Sequence, residues 1–144
     1  MANETMLKFG YPEALLREFE HWVVLLRPAQ VTLASLVLAA KSEATAFADL
    51  SQEAFTELAH IVRSVEMALG GFSKYDRINY LMLMMVDRQV HFHVIPRYSE
   101  PRRWNDLDFP DQGWPGPPQL KLAVELSKEQ TKALAEQLKP YFYS

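Results

Sequence analysis

Apolar and polar positions alternate along the chain with two different periods, and the periods mark out its elements. Ser51 to Leu69 carries Phe55, Leu58, Ala59, Val62, Val65 and Leu69 at the i, i+3, i+4, i+7 spacing of one buried helical face. Ser51 offers a side-chain cap, Glu53 sits near the positive end of the helix dipole, and Gly70-Gly71 predicts the stop. A shorter helix is expected over Tyr11 to Phe19, where Leu15, Leu16 and Phe19 fall near helical spacing and Pro12 is tolerated at the start. His21 to Arg27 is β-branched and aromatic, which predicts a strand that Pro28 ends. Thr32 to Lys41 predicts a second strand, although its Ala and Leu also suit a helix.

Ile78 to Val86 is apolar at successive positions, as expected of a central strand covered on both faces. Asp87-Arg88 then predicts a very short turn. Gln89 to Arg97 alternates strictly and predicts a strand antiparallel to the one before it. Ser99 to Pro118 is polar and proline-rich, with Trp104 and Trp114 inside it. A stretch of this length without periodicity is commonly functional, or a clasp onto a partner. Gln119 to Leu126 is expected to be a last strand. Ser127 with Gln130 makes a capping box for a helix that carries Leu134 and Leu138 and ends at Pro140.

Composition narrows the classes. A chain of 144 residues, 49% apolar, is expected to fold as one domain over residues 1–144, with a core at 21–98 and a C-terminal extension at 99–144. There is no cysteine, which excludes disulfides, thiolate metal sites and a cysteine nucleophile. A net charge of −3 argues against general nucleic-acid binding, because phosphate contacts demand a basic surface. No run is long and apolar enough to span a bilayer and the N-terminus has no signal core, so the expectation is a soluble cytoplasmic protein without membrane partners.

The chemistry concentrates in Gln89-Val90-His91-Phe92-His93-Val94-Ile95-Pro96-Arg97. Strand geometry sends Gln89, His91 and His93 to one face and Val90, Phe92 and Val94 to the other. Three readings of the polar face compete. The residues are partly exposed strand positions without a role; or His91 and His93 ligate a metal, for which His21, His60 and Asp87 supply no ligand-like pattern; or they carry phosphoryl chemistry.

This stretch resembles the signature of the histidine-triad (HIT) superfamily, in which histidines alternate with apolar residues ahead of a proline and an arginine. The similarity extends over about Trp22 to Tyr98 through the order strand, strand, helix, strand, strand. It implies an α+β fold, an antiparallel sheet of about five strands with one long helix packed on it and a C-terminal helix. It also implies that His91 is the nucleophile and that His93 stabilises a phosphate oxygen. The first triad position holds Gln89 rather than histidine, and the loop before the triad looks shortened to Asp87-Arg88. Arg27, Asn79, Arg88 and Arg97 are the expected nucleotide-binding residues, with Arg102 and Arg103 near by and Arg27 about where relatives contact ribose. Ala34 and Ser35 replace the glycine-histidine pair with which relatives begin the second strand. Met82, Met84 and Met85 are expected to fill the core. Trp104 and Trp114 either stack on a base or, preferably, fasten the C-terminal segment to a second subunit, since relatives are commonly homodimers.

The resemblance therefore implies a nucleotide hydrolase or transferase acting at an α-phosphate through a nucleotidyl-histidine, with no cofactor and no metal. Gln89 donates a hydrogen bond but cannot hand over a proton at neutral pH, so leaving groups that need none, such as polyphosphates, are expected to be favoured. The alternative is a nucleotide-binding protein that keeps the fold with little or no turnover.

Overall fold

The structure, a computed structural model, describes residues 2–143. Its elements run α1 (Glu4–Lys8), β1 (Leu15–Glu18), β2 (Trp22–Leu26), β3 (Ala29–Gln30), β4 (Leu36–Ala40), α2 (Gln52–Ser73), β5 (Arg77–Leu81), β6 (His91–Arg97), β7 (Arg102–Trp104), β8 (Leu107–Phe109), β9 (Val124–Glu125) and α3 (Lys128–Phe142). Five strands form one antiparallel sheet in the order β1-β2-β4-β6-β5. The fold is α+β, with three α-helices. None of the described helices is long and apolar enough to cross a membrane.

The sheet is buried on both faces, and the two faces differ in size. Trp22, Val24, Leu26, Leu36, Leu38 and Val94 join Ile61, Val65 and Leu69 of α2 and Leu134 and Leu138 of α3 in the main core. Trp22 is fully buried and its indole N–H donates to the Ala54 carbonyl at 2.9 Å, so the ring is packed without leaving a polar atom unpaired. The opposite face carries Val23, Leu25, Val37 and Ala39 under Met6, Phe9, Tyr11 and Leu15. The second cover comes from α1 and the segment after it. Asn3 caps α1 through the Met6 N–H and donates to the Ala40 and Ser42 carbonyls, which pins the N-terminal segment to the sheet.

The structure departs from the sequence expectations in ways that have physical causes. Tyr11 to Phe19 is not a helix: Leu16 enters the main core while Leu15 packs on the opposite face, a period of two that pairs β1 with β2. Thr32–Ser35 is a turn rather than strand, closed by the Ser35 hydroxyl, which accepts from the Thr32 N–H and donates to the Thr32 carbonyl, with Ala34 at φ 71°. Ser51 caps α2 as expected, but the helix runs through Gly70-Gly71 to Ser73 and stops at Lys74, in the left-handed region at φ 52°. Gly71 lets α3 approach closely, since a Cβ there would lie 3.1 Å from the Tyr141 ring and the ring would have to shift by a few tenths of an ångström. The buried stripe of α2 is also turned, through Ala54, Ile61, Val65 and Ala68, with Ala59 exposed.

Ile78 to Val86 is the largest correction. Only Arg77–Leu81 is strand, and it is the sheet's edge, not its centre. The following residues, 82–90, form the connection to β6, much longer than an Asp87-Arg88 turn. Met82 and Met84 pack on the main core, but Met85 is exposed rather than core filler. Gln119 to Leu126 contributes only β9, paired with β3. Within 99–118, β7 and β8 form a hairpin whose two turn residues, Asn105 and Asp106, adopt positive φ as a two-residue turn of this hand requires. The capping box at Ser127 and Gln130 forms, and α3 continues past Pro140 to Phe142.

Candidate active site

Val90, Phe92 and Val94 pack toward the main core, so pleating turns His91 and His93 to the opposite face. The register agrees: His91 pairs with Ala39 and His93 with Val37, both of which belong to that face. The imidazoles meet edge to face with centroids 5.1 Å apart. Phe9 lies against both, at 5.6 Å from His91 and 5.5 Å from His93. Both histidines are buried, with exposures of 1% and 7%.

His91 Nδ1 lies 2.8 Å from the Gln89 carbonyl oxygen. That contact requires Nδ1 to carry the proton and donate, leaving a lone pair on Nε2. Burial, reinforced by the Arg27 charge and by His91, pushes the His93 pKa down to about 4, against a small opposing pull from Asp87. His93 is therefore neutral at pH 7 and acts as a hydrogen-bond partner rather than as a cation.

Both imidazoles line a cavity of about 170 Å³ whose wall is the segment 83–87. Its volume lies below the roughly 300 Å³ at which small-molecule pockets begin, so it has room for a phosphoryl group and not for a whole nucleotide. Asp87 of the wall pairs with Lys8 of α1 at 2.9 Å. Gln89 precedes β6 instead of belonging to it, and its Oε1 accepts from Thr5 Oγ1 at 2.6 Å. Thr5, Lys8, Arg88 and Gln89 line a second concavity of about 260 Å³ that shares Val86 and Asp87 with the first. Among the described residues no three histidine, cysteine or acidic side chains group as metal ligands.

No protein-family model matches the chain, and no curated protein does. Solved structures do. A histidine triad protein from Sinorhizobium meliloti superposes with a TM-score of 0.75 at 19% identity, over 98% of this chain and 96% of that one. The chain has the histidine-triad fold. A hypothetical histidine triad nucleotide-binding protein from Sulfolobus tokodaii gives 0.69 at 19% identity over 96% and 89% of the two chains. The diadenosine triphosphate hydrolase of Plasmodium falciparum gives 0.67 at 14% identity, over 92% and 78%.

On this HIT fold the residues singled out from sequence fall into two groups. His91, His93 and Arg27 share one face of the sheet, with Gln89 and the exposed Arg88 at the rim. Arg27 follows β2 on the same side as Leu25. Its Nη1 donates to the Ala29 carbonyl at 2.9 Å and its Nε has no partner among the described residues. Asn79 of β5 pairs with Ile95, two residues along from His93, and Arg97 lies four residues along β6, about 13 Å from His93. Arg97 donates to both carboxylate oxygens of Asp111 at 2.7 and 2.9 Å, to Asn79 Oδ1 at 2.7 Å and to the Gly116 carbonyl at 2.8 Å. These bonds fold the 110–118 segment onto the sheet. Gly113 is obligatory there, because a Cβ would meet the Pro117 carbonyl oxygen at 2.0 Å. Arg102 donates to the Ser73, Glu100 and Lys74 carbonyls, and Arg103 pairs with Asp108. Trp104 donates to Gln137 of α3, whereas Trp114 lines an open concavity with Arg77 and Asn79.

The residues missed from sequence all lie in the N-terminal segment: Thr5, Lys8 and Phe9. The available signal was Asn3 followed by Glu4, a capping residue with an acid in the first turn.

Proposed function

We propose that the chain is a nucleotide hydrolase or transferase acting at the α-phosphate of a nucleotide derivative, such as a dinucleoside polyphosphate, through a nucleotidyl-histidine on His91. The observation that carries this reading is the state of His91: Nδ1–H is held by the Gln89 carbonyl and the ring lines a phosphate-sized cavity. The lone pair of Nε2 forms the bond to phosphorus as the P–O bond to the leaving group breaks, and that oxygen departs with the electron pair. Water then attacks phosphorus from the same side as the leaving group had departed, the P–N bond breaks, and the nucleoside monophosphate leaves with neutral His91 restored. His93 hydrogen-bonds a non-bridging oxygen. Gln89, oriented by Thr5, donates through its amide to the leaving oxygen. Arg27 and Arg88 contribute charge, and Asn79 and Arg97 act through the segment that they fasten.

Two solved HIT-fold proteins named above, one as a nucleotide-binding protein and one as a diadenosine triphosphate hydrolase, support the substrate class. We further propose a homodimer formed along the open edge β5, to be checked by light scattering. The central test is turnover of diadenosine polyphosphates by the wild-type protein and by His91→Ala. Loss of turnover in the variant is expected, and unchanged turnover would exclude His91 as the nucleophile. A preference for alkylamine phosphoramidates over polyphosphates would exclude the role given to Gln89.

The second reading is a nucleotide-binding protein with little turnover. The small cavity and the replacement of the first triad histidine by Gln89 favour it. It predicts a nucleotide-induced rise in Tm with no product formed.

A further inference from the structure

Two buried side-chain nitrogens have no hydrogen-bond partner among the described residues: Arg27 Nε and His93 Nδ1. Buried polar groups are almost always paired, so two orphans in one place call for a ligand group. They share one face of the sheet. The Arg27 N–H bonds the Ser35 carbonyl, which continues the β2–β4 register one step past Leu26 and Leu36. Arg27 therefore projects from the same face as Leu25, Val37 and His93, two strands and about 10 Å from β6. The Arg27 charge acts directly on His93, as the largest influence on its ionisation after burial.

Arg27 is half-buried and belongs to none of the ion pairs among the described residues. Glu125 pulls on it only from beyond pairing distance, and burial lowers its pKa. A desolvated guanidinium without a counter-ion is an uncompensated charge, and the group that completes it is an anion rather than a hydroxyl. His93 lines the histidine cavity whereas Arg27 does not, so this position is separate from the one that faces His91.

We infer that Arg27 and His93 form a second anion subsite beside the histidine cavity, which takes a phosphate carried on the 2′ or 3′ oxygen of the nucleotide whose α-phosphate meets His91. The inference rests on the reading given under Proposed function. With the leaving group on the Gln89 side of His91, the part that reaches past His93 is the retained nucleoside. Its sugar oxygens are the positions nearest the α-phosphate that carry a further phosphate. Such a group accepts from Arg27 Nε–H and neutralises the arginine, and its P–O–H donates to the lone pair of His93 Nδ1, which leaves the single proton of neutral His93 on Nε2 for the α-phosphate.

Calorimetric titration of the wild-type protein with adenosine 5′-monophosphate, adenosine 3′,5′-bisphosphate and adenosine 2′,5′-bisphosphate, and with the guanosine counterparts, tests this. One bisphosphate is expected to bind about tenfold tighter than its monophosphate, the size of a charge-assisted contact. Arg27→Gln should erase that preference, so that mono- and bisphosphate bind the variant with equal affinity whatever the variant's loss toward the monophosphate. Arg27→Lys, which keeps the charge and loses the Nε donor, should retain part of it. Equal affinity for mono- and bisphosphates, or a preference that survives in Arg27→Gln, overturns the subsite while the proposed chemistry at His91 stands. Failure of every nucleotide to bind overturns both. The wild-type comparison needs no variant, so a folding defect in Arg27→Gln would not shelter the proposal.

Discussion

The two ends of β6 are built from the same kind of residue and are finished in opposite ways. At Arg97 the guanidinium is buried to 4% exposure, its carboxylate partner Asp111 is fully buried, and Asn79 and Gly116 take further donors. At His93, four residues away, a buried ring nitrogen and the Nε of Arg27 are left without partners among the described residues. A polar cluster that closes on itself is structure: it holds the 110–118 segment to the sheet and has little capacity left for a substrate. A cluster left open, next to a cavity and beside a histidine of fixed tautomer, is where a ligand completes the set. Both ends are rich in cationic and polar groups, and what separates them is whether the donors are already spent.

The largest effect that probes this contrast is expected at the closed end. Asp111→Ala strips the counter-ion from a buried guanidinium and should lower stability by about 3–5 kcal/mol in urea unfolding. A loss under about 1 kcal/mol would show that Arg97 finds water and that this end is open as well. At the other end the consequence appears in pH. His93 titrates at 6.5 when unfolded and at about 4 when folded, so above pH 6.5 it is neutral in both states and stability does not depend on it. As pH falls from 6.5 toward 4, the unfolded chain takes up a proton that the folded chain refuses, and stability drops by up to about 3 kcal/mol. Unfolding of the wild type and of His93→Gln at about pH 7.5 and about pH 4.5 isolates this group, because only the wild type should lose the increment. Equal pH dependence in the two proteins would mean that His93 is not desolvated. The smallest effect concerns the wall of the cavity. Lys8→Ala breaks a largely exposed ion pair with Asp87 and should cost less than about 1 kcal/mol. It should nevertheless raise the rate at which an imidazole-directed acylating reagent modifies His91, if segment 83–87 is held shut through that pair. An unchanged rate would assign closure to Phe9 alone.

The strict alternation of 89–97 was readable because a strand with one apolar face has a single way to lie on a core. It correctly turned His91 and His93 away from α2. The long helix was legible for the same reason, although the packing of α3 against Gly71 carried it past its two glycines. Periodicity failed where an element is short. Four residues of β1 match a helix or a strand equally well, and pairing with β2 decided between them. The run Ile78 to Val86 was apolar without being buried, so hydrophobicity alone overstated its place in the sheet. The site was legible in its histidines and not in its cover, since nothing local in the N-terminal sequence announces that Thr5, Lys8 and Phe9 meet Gln89, Asp87 and the two histidines some eighty residues on. Nor does sequence reveal that Arg97 is already bound to Asp111, a contact across fourteen positions.

The account depends on Nε2 of His91 being free to attack phosphorus. Intact-protein and peptide mass spectrometry after brief incubation with a dinucleoside polyphosphate, quenched at alkaline pH to protect the P–N bond, tests that directly. The account predicts a single nucleotidyl mass increment localised to His91 and absent from His91→Ala. Turnover without any adduct, or an adduct carried by His93 instead, would contradict it.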